Sequence, residues 1–159
     1  MNYETLVPII GTIRNINQSP GNCCSQAISI STPNGINNVF LSPGTTVIGS
    51  TQLRVGMPVA AFYDSSRPVP LIYPPQYDAE LITPLRNDET VMLNFFRRNL
   101  TASDNSLRLN LARNTEILTL NGQRYSCPPG GNFLLVYYSV TTRSIPPQTT
   151  PRRIIVLCR

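Results

Sequence analysis

The chain contains no histidine, no lysine and no tryptophan. Without histidine there is no imidazole to act as a general base, to activate a serine or cysteine, or to ligate a metal. Without lysine, Schiff-base chemistry and a phosphate-loop lysine are excluded. Charge is scarce as well. Only 13% of residues are charged, against about a quarter in an ordinary soluble domain. The eight carboxylates are scattered, so a paired-carboxylate site would need two of them brought together by folding. These absences predict no enzyme, no metal site and no cofactor. Long apolar runs are also missing, so no membrane insertion is expected. The opening MNYETLVPII has no basic flank and too short an apolar run for a signal peptide. It predicts synthesis in the cytoplasm.

What the chain has is amide, hydroxyl and proline. Its 159 residues include 49 Asn, Gln, Ser and Thr, 15 Pro, and 13 positive side chains that are all Arg. Hydrophobic residues, at 41%, suffice for a core and argue against disorder. Helical periodicity is nearly absent. Short β-branched runs bounded by turn residues recur instead, which predicts an all-β fold. Strands are expected at Val7–Ile16, Ala27–Thr32, Asn38–Ser42, Pro58–Tyr63 and Asp78–Thr83. The second and third are joined by a hairpin turn across Thr32-Pro33-Asn34-Gly35.

The second half repeats the first in order. Arg14-Asn15-Ile16 matches Arg98-Asn99-Leu100, and Gly44-Thr45-Thr46-Val47-Ile48 matches Asn114-Thr115-Glu116-Ile117-Leu118. Phe62-Tyr63-Asp64, Pro74-Pro75-Gln76 and Leu81-Ile82 return as Tyr137-Tyr138-Ser139, Pro146-Pro147-Gln148 and Ile154-Ile155. Three blocks in one order predict a duplication. Five short strands per unit suit a small Greek-key barrel of the oligonucleotide/oligosaccharide-binding (OB) type. The expected arrangement is two similar five-stranded OB-like barrels in tandem, residues 1–83 and 84–159.

The stretches LRVGMPVAAFYDSSRPVPLIYPPQY, RNTEILTLNGQRY and TTRSIPPQTTPRRIIVLC resemble uncharacterised small tandem-β proteins of spore-forming anaerobic bacteria, over about residues 8–159. In composition and in its Cys-Cys pair the chain also loosely resembles subunits of disulfide-linked spore-surface fibres. That likeness implies a structural role, with a final location on the spore or cell surface.

Two sets of residues could carry function. Cys23 and Cys24 lie in SPGNCCSQ, Cys127 lies in YSCPP, and Cys158 is next to the C-terminus. The first three settings read as exposed loop or periphery, and the spacing fits no zinc site. All four are candidate cross-links, to neighbouring subunits or to one another, against a bland reading as reduced, inert thiols. The second set is basic. Residues 84–159 hold ten of the 13 arginines. Arg97, Arg98, Arg108, Arg113, Arg124 and Arg143, with Phe95, Phe96, Tyr137 and Tyr138 as stacking surfaces, would suit single-stranded nucleic acid or oligosaccharide. Alternation at strand spacing, however, places one aromatic of each pair in the core. Equally, a basic face could meet a neutral face of the next subunit, and such unlike contacts build open fibres. The apolar runs at both termini are candidates for sheet edges that accept another chain's strand. The favoured expectation is a self-assembling homopolymer subunit, with an OB-type binding module second.

Overall fold

A computed structural model describes residues 2–158 and is built almost wholly of strands. The chain divides into two compact units. One is Thr5–Asn87; the other joins the first four residues to Asp88–Arg159. The division thus falls four residues beyond the expected one, and the start of the chain belongs with the C-terminal unit.

In the N-terminal unit five strands close into a ring. They are β1 (Leu6–Ser19), β2 (Asn22–Thr32), β3 (Gly35–Leu41), β5 (Pro58–Asp64) and β6 (Gln76–Pro84), with β4 (Thr46–Val47) alongside. Antiparallel pairs join β1 to β2, β2 to β3, β5 to β6 and β5 to β1. A parallel pair, Asn38 to Phe40 against Gln76 to Asp78, completes the circuit. Period-2 alternation sends Ile9, Ile13, Ile28, Ile30, Val39, Val59, Ala61 and Ile82 into one core. Gly11 makes the tight passage of β1 past β2, since a Cβ there would lie 2.1 Å from the Ser31 carbonyl oxygen. The β2–β3 turn uses Gly35 at φ +119°, where the Thr32 hydroxyl donates to the Gly35 carbonyl at 2.8 Å.

The C-terminal unit contains β7 (Thr90–Phe96), β8 (Arg108–Leu109), β9 (Glu116–Thr119), β10 (Asn132–Tyr138), β11 (Gln148–Thr149) and β12 (Arg153–Leu157). Its sheet runs β7-β10-β12-β9, with β8 and β11 forming a separate parallel pair. A second five-stranded ring was the expectation, and here the structure differs. Residues 97–107, between β7 and β8, are too few for two full hairpin strands. They form no named strand among the described residues and are held by isolated bridges at Phe96–Ala102 and Thr101–Arg108, with turn hydrogen bonds such as Arg97 N–H to the Thr101 carbonyl.

The rest of the plan recurs bond for bond. Thr45 accepts the Ser42 N–H at 3.1 Å and donates to the Ala79 carbonyl at 2.7 Å. Thr115 likewise accepts from Ala112 N–H at 3.1 Å and donates to the Pro151 carbonyl at 2.9 Å. The Gly56 N–H donates to Ile13 O, as the Gly131 N–H does to Phe96 O, both at 2.8 Å. The N–H groups of Asn38 and Arg108 donate to the carbonyls of Pro75 and Pro147, again both at 2.8 Å. Register corrects two of the sequence matches by one residue. Leu81-Ile82 corresponds to Arg153-Ile154, because β4 and β9 pair with those positions. Arg14 corresponds to Arg97, because Ile13 and Phe96 are the equivalent acceptors.

The last strand is not an edge as expected, whereas each half of the first has a single strand partner among the described residues. β12 is paired on both sides, by β10 and β9. The first half of β1 pairs with β5 and its second half with β2. The stretch Asn15 to Ser19 has β2 as its one strand partner among the described residues.

Each threonine hydroxyl joins two segments far apart in sequence, so its loss leaves a strand-tethering carbonyl without its donor. Thr45→Val and Thr115→Val should each lower unfolding free energy by about 1 kcal/mol, while Thr46→Val stays near neutral. Urea denaturation of the three variants checks this.

Candidate functional site

The expected basic and aromatic residues separate once folded. Tyr137 is fully buried, with the guanidinium carbons of Arg152 and Arg153 5.5 and 5.6 Å from its ring centroid. Phe96 is also fully buried. Tyr138 is half-buried against the C-terminal core, and that burial raises its pKa. Neither Tyr137 nor Phe96 can offer a face for stacking. Alternation along β10 has buried Tyr137 and left its neighbour partly exposed. Phe95 likewise stays at the surface in part, packed edge-on to Phe133 at 5.5 Å.

The arginines divide in the same way. Arg152 makes a two-point ion pair with Glu89, at 2.7 and 2.8 Å, and the Glu89 side chain is only 3% exposed. These hydrogen bonds raise the Arg152 pKa. Arg153 pairs with Glu116 at 2.7 Å. Arg97 folds over its own loop, donating to the Ser103 carbonyl at 3.1 Å and to Asn105 Oδ1 at 2.6 Å. Arg98 is exposed, and no carboxylate lies within ion-pair distance of it among the described residues. Arg108, Arg113, Arg124 and Arg143 are exposed too, but the structure does not gather them with Arg97 and Arg98.

Two open grooves meet in the C-terminal unit. One, of about 710 Å³, is lined by Phe95, Arg97, Arg98, Tyr125, Pro128, Gly130, Gly131 and Asn132. The other, of about 610 Å³, is lined by Glu4, Phe95, Ser103, Gly131, Asn132, Phe133, Leu157 and Cys158. They share Phe95, Gly131 and Asn132. The wall of the first is closely packed: a Cβ on Gly130 would lie 2.7 Å from the Arg98 Cα. Tyr3 packs on Phe133 at 5.8 Å, which adds the chain start to this surface.

All four cysteines are exposed, and none is bonded to another. Cys23 and Cys24 lie on a strand rather than in the expected loop. Gln18 faces Gln26 while Ser19 faces Asn22, so Cys23, Cys24 and Ser25 bulge from β2 without opposite numbers in β1. The Gln18 side-chain amide donates to Cys23 Sγ at 3.0 Å, and the Cys24 N–H donates to Asn22 Oδ1 at 3.0 Å. Cys127 lies in the exposed segment before β10, and Cys158 directly follows β12 at the rim of the second groove. No group of three Cys, Asp or Glu is placed to hold a metal ion among the described residues.

No family model, curated protein or solved structure matches the chain. No helix is long and apolar enough to cross a membrane among the described residues.

One surface feature lies apart from the basic residues and the cysteines. The proline-rich loop between β5 and β6 carries Leu71 fully exposed and Tyr73 at 88%, with Val69 and Ile72 also at the surface. Tyr77 packs against Tyr63 at 4.2 Å, and Tyr73 stands clear. At the equivalent position of the C-terminal unit Ile145 is 99% exposed. The sequence signal was available: both residues immediately precede Pro-Pro-Gln, and neither falls on a strand.

Asp64 anchors the start of the first loop. The Ser66 hydroxyl and N–H donate to its Oδ1 at 2.6 and 2.9 Å. Ser66 and Thr5, with Arg67 beside them, hold the Asp64 pKa down at about 2. A carboxylate pKa lower in the folded than in the unfolded chain adds stability above the unfolded value of about 3.9. That stability disappears as pH falls through about 2. The stability gap between wild type and Asp64→Asn should therefore be constant above pH 5 and close towards pH 2, as read by thermal melts across that range. Glu89→Ala leaves Arg152 unpaired and should cost about 3 kcal/mol, measured by denaturant unfolding.

Proposed function

We propose that the chain is a structural subunit that associates with copies of itself, head to tail, on the exterior of a spore or cell. The observation that carries this reading is the disposition of the thiols. Each unit presents two, all four are exposed, and none has a partner within the chain. A small disulfide such as oxidised glutathione could accept the two electrons and two protons released when thiols of neighbouring copies join. The Asn15 to Ser19 edge of the β1–β2 ribbon, beside the Cys23-Cys24 bulge, is a second candidate contact. The role is non-catalytic.

For the fold we propose an OB-type barrel in the N-terminal unit, on the strength of its five strands and parallel closing pair, and a reduced copy of it in the C-terminal unit. Such barrels commonly bind polymers, so a binding module is the second reading. The groove holding Arg98, Phe95 and Tyr125 favours it. The loss of Tyr137 and Phe96 as stacking faces counts against it.

Negative-stain electron microscopy of oxidised and reduced protein separates the readings. Ordered polymers in the oxidised sample, shortened or lost on reduction and in a variant with all four cysteines changed to serine, are the expected result. Uniform small particles in both samples, together with salt-sensitive binding of a single-stranded oligonucleotide, would overturn it.

A further inference from the structure

From the Pro68 to Pro75 loop and the C-terminal groove we infer a specific contact: the loop of one copy docks in the groove of a second copy. This rests on the self-association reading and names the surfaces it uses.

The loop has the character of a ligand. Leu71 and Tyr73 are large apolar side chains left in water, on a segment framed by Pro68, Pro70, Pro74 and Pro75. Proline fixes φ, so the segment loses little freedom on binding. It also lacks N–H groups, so the loop offers carbonyl acceptors and few donors. A partner surface for such a segment needs apolar or aromatic walls and donors.

The groove supplies both. Half-buried Phe95 and Tyr125 give apolar surface over the buried Phe133 and Leu157, and Arg98 presents a guanidinium that only donates. Charge points the same way. The three carboxylates of the N-terminal unit are Asp64, Asp78 and Glu80. All three lie on β5 or β6, the two strands this loop joins. Arg67 is the single arginine among them, and it contacts Asp64 at 3.8 Å and Glu80 at 3.2 Å. The loop base therefore carries net negative charge, and the unit with the groove is the more basic one. Loop and groove are unlike surfaces of one chain, so the contact is heterologous and repeats from copy to copy, into a ring where the rotation closes and a fibre where it does not.

Two variants test it, in reductant so that disulfides play no part. Leu71→Asp/Tyr73→Asp alters only exposed side chains of the loop, and Ser103→Trp fills the groove from an exposed position. Unchanged melting temperatures establish that both fold. Sedimentation velocity should show concentration-dependent association of wild type that weakens with salt, and monomers for each variant alone. An equimolar mixture of the two variants should give dimers and nothing larger, because one intact loop and one intact groove remain. Wild-type-like association of either variant, or a mixture that stays monomeric, overturns the contact. If oxidised wild type also forms no assembly by microscopy, the self-association reading falls with it. If oxidised wild type and both variants all polymerise alike, this contact alone is wrong.

Discussion

In both units a proline carbonyl marks the place where distant parts of the sheet meet. Pro75 accepts the Asn38 N–H in one unit, and Pro147 accepts the Arg108 N–H in the other. The parallel pairs β3–β6 and β8–β11 begin there. Much follows from using proline at this point. The strand can enter the ladder only after the last proline, because the preceding residues have no N–H to give. The chain before it is therefore held at its end yet kept out of the sheet, and its apolar side chains have no core to enter. The exposure of Tyr73 and Ile145 thus follows from the way the sheets are joined.

The same device explains why the two units differ in size but keep a common frame. The hydrogen bonds of Thr45 and Thr115, and of Gly56 and Gly131, secure the strands around the proline carbonyl. The polar outer part of the β1–β2 ribbon, Asn17 to Gln26, carries none of those bonds, whereas β2 and β3 supply Ile28, Ile30 and Val39 to the N-terminal core. In the C-terminal unit the corresponding interval holds the bridges at Thr101 and Ala102, and Phe96, Ala102 and Leu107 supply its core.

The central strands were legible because they are short apolar, β-prone runs bounded by turn residues: Pro58 to Tyr63 and Asp78 to Thr83 nearly match β5 and β6. The ribbon was missed where alternation fails. Asn17 to Gln26 is almost wholly polar, so its composition reads as loop although its backbone pairs as strand. Register errors of one residue arose because Ile-Ile and Arg-Arg runs align equally well at two offsets, and only the ladder decides between them. The ion pair of Glu89 with Arg152 spans 63 positions, a separation on which local pattern is silent. For the site, Arg98 and the four thiols were identified by residue type and loop-like neighbours. Tyr137 and Tyr138 could not be told apart until the face of β10 was known.

The magnitudes indicate how such a subunit would assemble. Burying a side chain the size of Leu71 or Tyr73 contributes roughly 1.5–3 kcal/mol. Association costs about 4–15 kcal/mol in lost translation, rotation and ordering. One loop in one groove therefore yields a weak contact that forms at high local concentration and reverses on dilution. The low charge of the chain lowers the repulsion opposing that first encounter. Once copies are in contact, the exposed cysteines meet at an effective concentration far above that in free solution. A disulfide then makes permanent what the apolar contact only samples. On this account the loop would choose the partner and the register, and the thiols would fix the result. The two devices need not be equally strong, because selection requires reversibility and retention requires its loss.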